Sequence, residues 1–178
     1  MSHLLLRLLL VVSLCVYISG HSALGPTALD SIDCDNFPPF QSYHIHVLYW
    51  PNNTNSTSAA MVLRDQFIES FNVKEVCSEE GVSPADPAPQ QHEICSFSID
   101  DHPAGPFLTA QYSFFFPAKE LKSKGQGSFD DAVQFFLQRR GNLDVFIHPN
   151  SGCTTMDHAH WSVWGGNKWE LDVSVLHS

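Results

Sequence analysis

The chain has 178 residues, with 19 acidic against 9 basic side chains and a formal net charge of −10 at pH 7. That balance argues against nucleic acid as a partner, because binding to phosphates requires a basic face. Length and a 43% hydrophobic content suit one domain with its own core, while acidity alone says nothing about fold.

Residues 1–20 read as a secretory signal peptide: Arg7 supplies the positive start, Leu8 to Ile18 the apolar stretch, and Ser19-Gly20 a small-residue cleavage site. The apolar stretch is shorter than the roughly 20 residues of a membrane span, and no later run is longer. The expectation is a secreted, extracellular protein with no membrane contact after cleavage. Without Arg7 the balance becomes 8 basic against 19 acidic residues, a charge of −11. Residues 21–42, rich in Pro and Asp, read as an extended arm, and 43–178 as the domain proper.

Tyr43 to Trp50 has the alternation of a strand. The polar run 52–58 reads as a surface loop, capped by Thr57 or Ser58, and carries glycosylation sequons at Asn52 and Asn55. Ala60, Leu63, Phe67, Ile68 and Phe71 then fall at helical spacing over 59–71. A short strand at 72–77 precedes an insertion, 78–104, whose Pro- and Gln-rich part is 78–92. Strands are expected near 93–99 and over 107–116, with a charged connection at 119–127. Ser128-Phe129-Asp130-Asp131 opens a second helix, which Gly141 ends. Leu143 to Ile147 is a strand that delivers His148-Pro149, and the tail 161–176 adds one or two edge strands. The order βαββαβ predicts an α+β, ferredoxin-like sandwich: an antiparallel sheet with helices on one face and an open groove or dimer surface on the other.

Cys15 leaves with the signal, and the remaining Cys34, Cys77, Cys95 and Cys153 suit two disulfides in an oxidising compartment. Three connectivities are available. Cys77–Cys95, stapling the insertion, and Cys34–Cys153, tying the arm to the His-rich loop, are the pairing expected.

The strongest chemical signal is histidine. In a strand alternate side chains share a face, so His44 and His46 point the same way. A second group, His148, His158 and His160, lies in the stretch 148–161. Imidazoles on one face, joined by others from a distant segment, are what a His-rich metal site requires. Asp157, and more remotely Asp100 or Asp101, are the candidate carboxylate ligands. His160 or His46 is the candidate acid or base, since an imidazole titrates near working pH. Trp161, Trp164 and Phe114 to Phe116 are candidates to wall a ring-binding pocket, and ordinary core packing is their other reading.

Tyr43-His44-Ile45-His46-Val47, Gly105-Pro106, Arg140-Gly141-Asn142-Leu143, Ile147-His148-Pro149, Asp157-His158, Trp164-Gly165-Gly166 and Leu171-Asp172-Val173-Ser174-Val175-Leu176 together resemble the DOPA 4,5-dioxygenase family. The resemblance implies a ferredoxin-like fold, usually dimeric, and extradiol cleavage of a catechol at a non-haem iron. His44, His46, His148 and His158 match the family's histidines and are implied as metal or catalytic residues. Arg140 matches a family arginine and is implied as a bidentate anchor for an anionic substrate group. Phe107 follows Gly105-Pro106 where the family carries a histidine, and Trp161 stands where a further histidine is frequent, with His160 one place earlier. Ferrous iron is the implied cofactor, and zinc or copper is easier to keep on the same histidines outside a cell. Two functions remain open: a secreted DOPA or catechol dioxygenase, and a non-catalytic secreted binding or extracellular-matrix protein that retains the fold.

Overall fold

A computed structural model describes residues 33–77, 93–117 and 127–176. The expected signal peptide, the arm up to residue 32, the Pro-rich stretch 78–92 and the connection 118–126 lie outside the described residues.

The central strand is β1 (Ser42–Tyr49), which pairs antiparallel with both β4 (Ala110–Pro117) and β5 (Asp144–Asn150). β3 (Cys95–Ser96) extends the sheet beyond β4, and β6 (Val163–Gly165) extends it beyond β5, both antiparallel. The two-residue β2 (Glu75–Val76) lies parallel to β3 at the edge, giving the order β2-β3-β4-β1-β5-β6. The first and last strands of the βαββαβ motif are thus neighbours at the centre, as the ferredoxin-like layout requires.

Alternation divides the central strands. Ile45, Val47, Tyr112, Phe114, Val145 and Ile147 face α1 (Thr54–Ser70) and α2 (Phe129–Arg139), whose Ala60, Leu63, Phe67, Ala132, Phe135 and Phe136 complete the main core. α1 begins earlier than its apolar periodicity predicts. Asn53, not Thr57 or Ser58, is the cap, and its side chain accepts from the Asn55 and Ser56 amides. A strong N-cap recruits the polar residues behind it into the first turn, so most of the expected sequon loop is helical. Ser128 and Asp131 form a capping box at the anticipated start of α2. Leu137, near the C-terminal end of α2, is 47% exposed.

The face carrying His44 and His46 is covered, contrary to the expectation of an open groove. Leu48, Phe107 and Phe146 are buried there, with Trp164, Trp169 and Leu171 packed against them. Leaving such an apolar group in water is unfavourable, so the segment after β3 and the C-terminal tail fold over it. Phe107 lies outside β4, in an isolated bridge with Leu171. Only β6 of the tail is an edge strand; Asp172 caps a 3-10 turn after it.

Cys34 pairs with Cys153, 119 residues apart in sequence, and Cys77 with Cys95, 18 apart. Cys153 is the N-cap residue of α3 (Thr154–Ala159), so the first bridge anchors the arm to the helix that carries His158. In the chain-entropy account a loop of this length restrains the unfolded state by about 5 kcal/mol. The double variant Cys34→Ser/Cys153→Ser is therefore expected to lose roughly 4–5 kcal/mol in guanidinium unfolding. A loss below 1 kcal/mol would mean that the unfolded chain already holds these segments together.

Candidate metal centre

His44 lies directly opposite His148 across the β1–β5 ladder, and His46 is two residues along the same face. The three imidazoles are 3%, 0% and 1% exposed for His44, His46 and His148. One ring nitrogen of each lies within 4.8 Å of the other two. His46 Nε2 and His148 Nε2 face each other across 3.1 Å.

The outer nitrogens set the chemistry of the inner ones. His148 Nδ1 is 2.8 Å from the Pro149 carbonyl oxygen, which can only accept, so Nδ1 carries the hydrogen. His46 Nδ1 is likewise 2.9 Å from Gln111 Oε1. Burial, reinforced by the neighbouring imidazoles of His158, His44 and His46, holds the His148 pKa well below its ordinary value. Two unprotonated nitrogens at 3.1 Å repel unless a cation lies between them. That spacing is also the edge between two ligands at near right angles on an ion bound at about 2.1 Å. A neutral three-imidazole set suits iron, zinc, copper or nickel, so the residues fit a divalent metal.

His158 lies beside this trio and not in it. Its Nδ1 donates to the Thr154 carbonyl at 2.9 Å, and its ring is centred 3.9 Å from that of His148. His160 is exposed and serves as the C-cap of α3. Two residues along a helix turn the side chain to the opposite side, which takes His160 out of the acid–base role expected for it. Arg140 caps α2 and donates to the carbonyls of Gly141 and Leu143, just before β5 begins. His148 lies four residues into that strand from Asp144, about 13 Å along it. Arg140 therefore does not meet the histidines. Asn52 and Asn55 are exposed, the latter in the first turn of α1.

No candidate carboxylate joins the trio. Asp157 accepts from the amide and hydroxyl of Ser151, tying the end of β5 to α3. Asp101 pairs with His102 at the surface, which removes it from the site. Asp100 instead accepts from the Gln111 side-chain amide, behind His46. Phe114 and Phe116 belong to the helix-side core, and Trp161 packs on Phe37 and Phe40 of the arm. The residues that actually surround the trio include Gln111, Phe97, Phe107 and Phe146. Gln111 and Phe146 carry no motif, and only strand register brings them here; Phe107 follows the Gly105-Pro106 pair, and the fold of that loop lays it over the site.

Burial pushes the Asp157 pKa up to about 6. The folded chain then binds this proton more tightly than the unfolded chain. The resulting stability is fully present below about pH 4 and is lost as pH rises through about 6. Asp157→Asn is expected to remove that part of the slope in urea midpoints measured from pH 4 to 7. An unchanged slope would place the dependence on other groups.

The profile of the Dopa 4,5-dioxygenase family matches residues 43–175. No curated protein matches the sequence. A solved structure from Nostoc punctiforme PCC 73102, described as a "putative dioxygenase", superposes with a TM-score of 0.57 at 23% identity. The match covers 77% of this chain and 91% of that one. At this identity the likeness speaks for the fold alone.

Proposed function

We propose that this chain, which belongs to the Dopa 4,5-dioxygenase family, is a secreted dioxygenase that opens catechol rings at a ferrous ion. The observation that carries the reading is the convergence of one nitrogen each from His44, His46 and His148 in a buried site. These three residues would hold the metal. When bound, ferrous iron supplies open positions at which a catechol and dioxygen are brought together.

The chain's own residues do the rest. Three neutral donors leave the charge of a divalent ion uncompensated, which favours an anionic ligand such as a catecholate. His158, with its Nδ1 hydrogen committed to the Thr154 carbonyl, presents Nε2 as the acceptor for a catechol hydroxyl proton. The apolar cover of Phe107, Phe146 and Leu48 excludes water from the reacting ring. Secretion is supported by the apolar N-terminal run and by two disulfides, which persist in oxidising compartments. The exposed Asn52 and Asn55 are then glycan acceptors.

A second reading, a metal-binding protein without turnover, is favoured by one observation: the Phe107 ring, centred 4.5 Å from that of His46, lies over the site. Dioxygen uptake decides between them. The disulfide-intact protein is loaded with ferrous iron without air and offered L-DOPA and simple catechols. Uptake with a coloured ring-opened product supports the enzyme; no uptake by folded, iron-loaded protein supports the binding protein. Failure to retain any divalent ion sinks both.

A further inference from the structure

We infer that Gln111 and Asp100 are positioning residues that hold His46 in the one tautomer able to bind a metal through Nε2. The inference rests on the proposed metal site and extends it to residues that touch no ligand. Gln111 lies on β4, on the same face as His46, and is 3% exposed. Its amide has two ends with opposite hydrogen-bonding character. The Asp100 carboxylate accepts from Gln111 Nε2, so the amide cannot turn over without setting two acceptors against each other. Oε1 is thereby committed to His46 Nδ1, at 2.9 Å. An acceptor there requires the hydrogen on Nδ1, which leaves Nε2 with its lone pair facing His148 Nε2.

The opposite orientation would have the opposite outcome. A reversed Gln111 would donate to His46 Nδ1 and move the ring hydrogen to Nε2. His46 would then donate to His148, and the pair would close into a hydrogen bond where the ion belongs. Asp100, half-buried at the edge of the cover, is what decides between these states. Its placement is itself restrained. The Asp100 and Gln111 main chains exchange both amide–carbonyl bonds, each at 2.9 Å. The carboxylate expected as a ligand thus acts at one remove, through an amide. Outer partners of this kind typically change metal affinity by about 10- to 100-fold.

The test compares zinc affinity, by competition with a chromophoric chelator, in the full chain and in Gln111→Leu, Asp100→Leu and Asp100→Asn. It is paired with ring-nitrogen NMR of His46 in metal-free protein. Zinc binding is expected to weaken by about 10- to 100-fold in Gln111→Leu and Asp100→Leu. Asp100→Asn, whose carbonyl oxygen still accepts from Gln111, should stay within about threefold of the parent. The metal-free parent should carry its hydrogen on His46 Nδ1, and that preference should be lost in Gln111→Leu. If Gln111→Leu does not fold, Asp100→Leu, at a half-buried position, carries the comparison. A parent with the hydrogen on His46 Nε2 overturns the inference, as do folded Leu variants that bind zinc as tightly as the parent. A parent that binds no zinc removes the metal site instead, and the relay then stands or falls on the tautomer alone.

Discussion

His148→Ala is expected to abolish divalent-metal binding and, with it, any dioxygen uptake. His148 is in ring contact with all three neighbouring histidines, with centroid distances of 5.0 Å to His44, 5.2 Å to His46 and 3.9 Å to His158. Its Nε2 faces His46 Nε2 directly, so alanine removes a donor and dissolves the narrowest part of the site. Affinity should fall by more than the roughly 100-fold that outer partners account for. Thermal unfolding reads the result without any assay of turnover. An ion at 1,000 times its dissociation constant stabilises a folded protein by about 4 kcal/mol. Zinc should raise the melting temperature of the parent and leave that of His148→Ala unmoved. His158→Ala provides the contrast: zinc should still stabilise it, whereas catechol turnover should be lost. Equal stabilisation of the parent and His148→Ala would show that the ion binds elsewhere.

The trio was legible because two rules of strand geometry suffice for it. Alternation places His44 and His46 on one face, and a split βαβ order makes the first and last strands neighbours, which delivers His148. The exact opposition of His44 and His148 is register, which the sequence implies only through the pattern of buried residues. The stretch after His148 misled for a local reason. Residues 154–159 form a helix capped without a side-chain hydrogen bond, and Thr-Thr-Met-Asp-His-Ala shows no apolar period to announce it. Once that turn is helical, His158 points inward and His160 outward. The positioning roles of Gln111 and Asp100 were hidden differently. A glutamine in an aromatic strand has no signature of its own, and its role exists only because a bridge from a loop lays Asp100 against it. Residues that bind directly were thus accessible from pattern, whereas residues that orient them required the tertiary fold.

Phe107→Ala is expected to separate the cover of the site from its ligands. Phe107 is 1% exposed and packs against His46 and Phe146, with ring centroids at 4.5 and 5.5 Å. Truncating a buried phenylalanine costs about 3–5 kcal/mol, and a chain of this size loses roughly 2–4 °C per kcal/mol. The melting temperature should therefore drop by about 6–20 °C. Metal affinity should hardly change, because Phe107 supplies no donor and the Gln111 and Pro149 oxygens still orient the imidazoles. Ligand access should change in the opposite sense to stability. If a catechol enters only when Phe107 moves aside, and that state is populated about one time in ten, removing the ring tightens catechol binding about tenfold. Titrating zinc-loaded protein with a coloured catechol measures this apart from turnover. Tighter catechol binding with unchanged zinc affinity makes Phe107 a cover over a working site. Loss of zinc affinity in step with stability would make it part of the packing that holds His46. The site would then be one in which the phenylalanine after Gly105-Pro106 gives up access for rigidity.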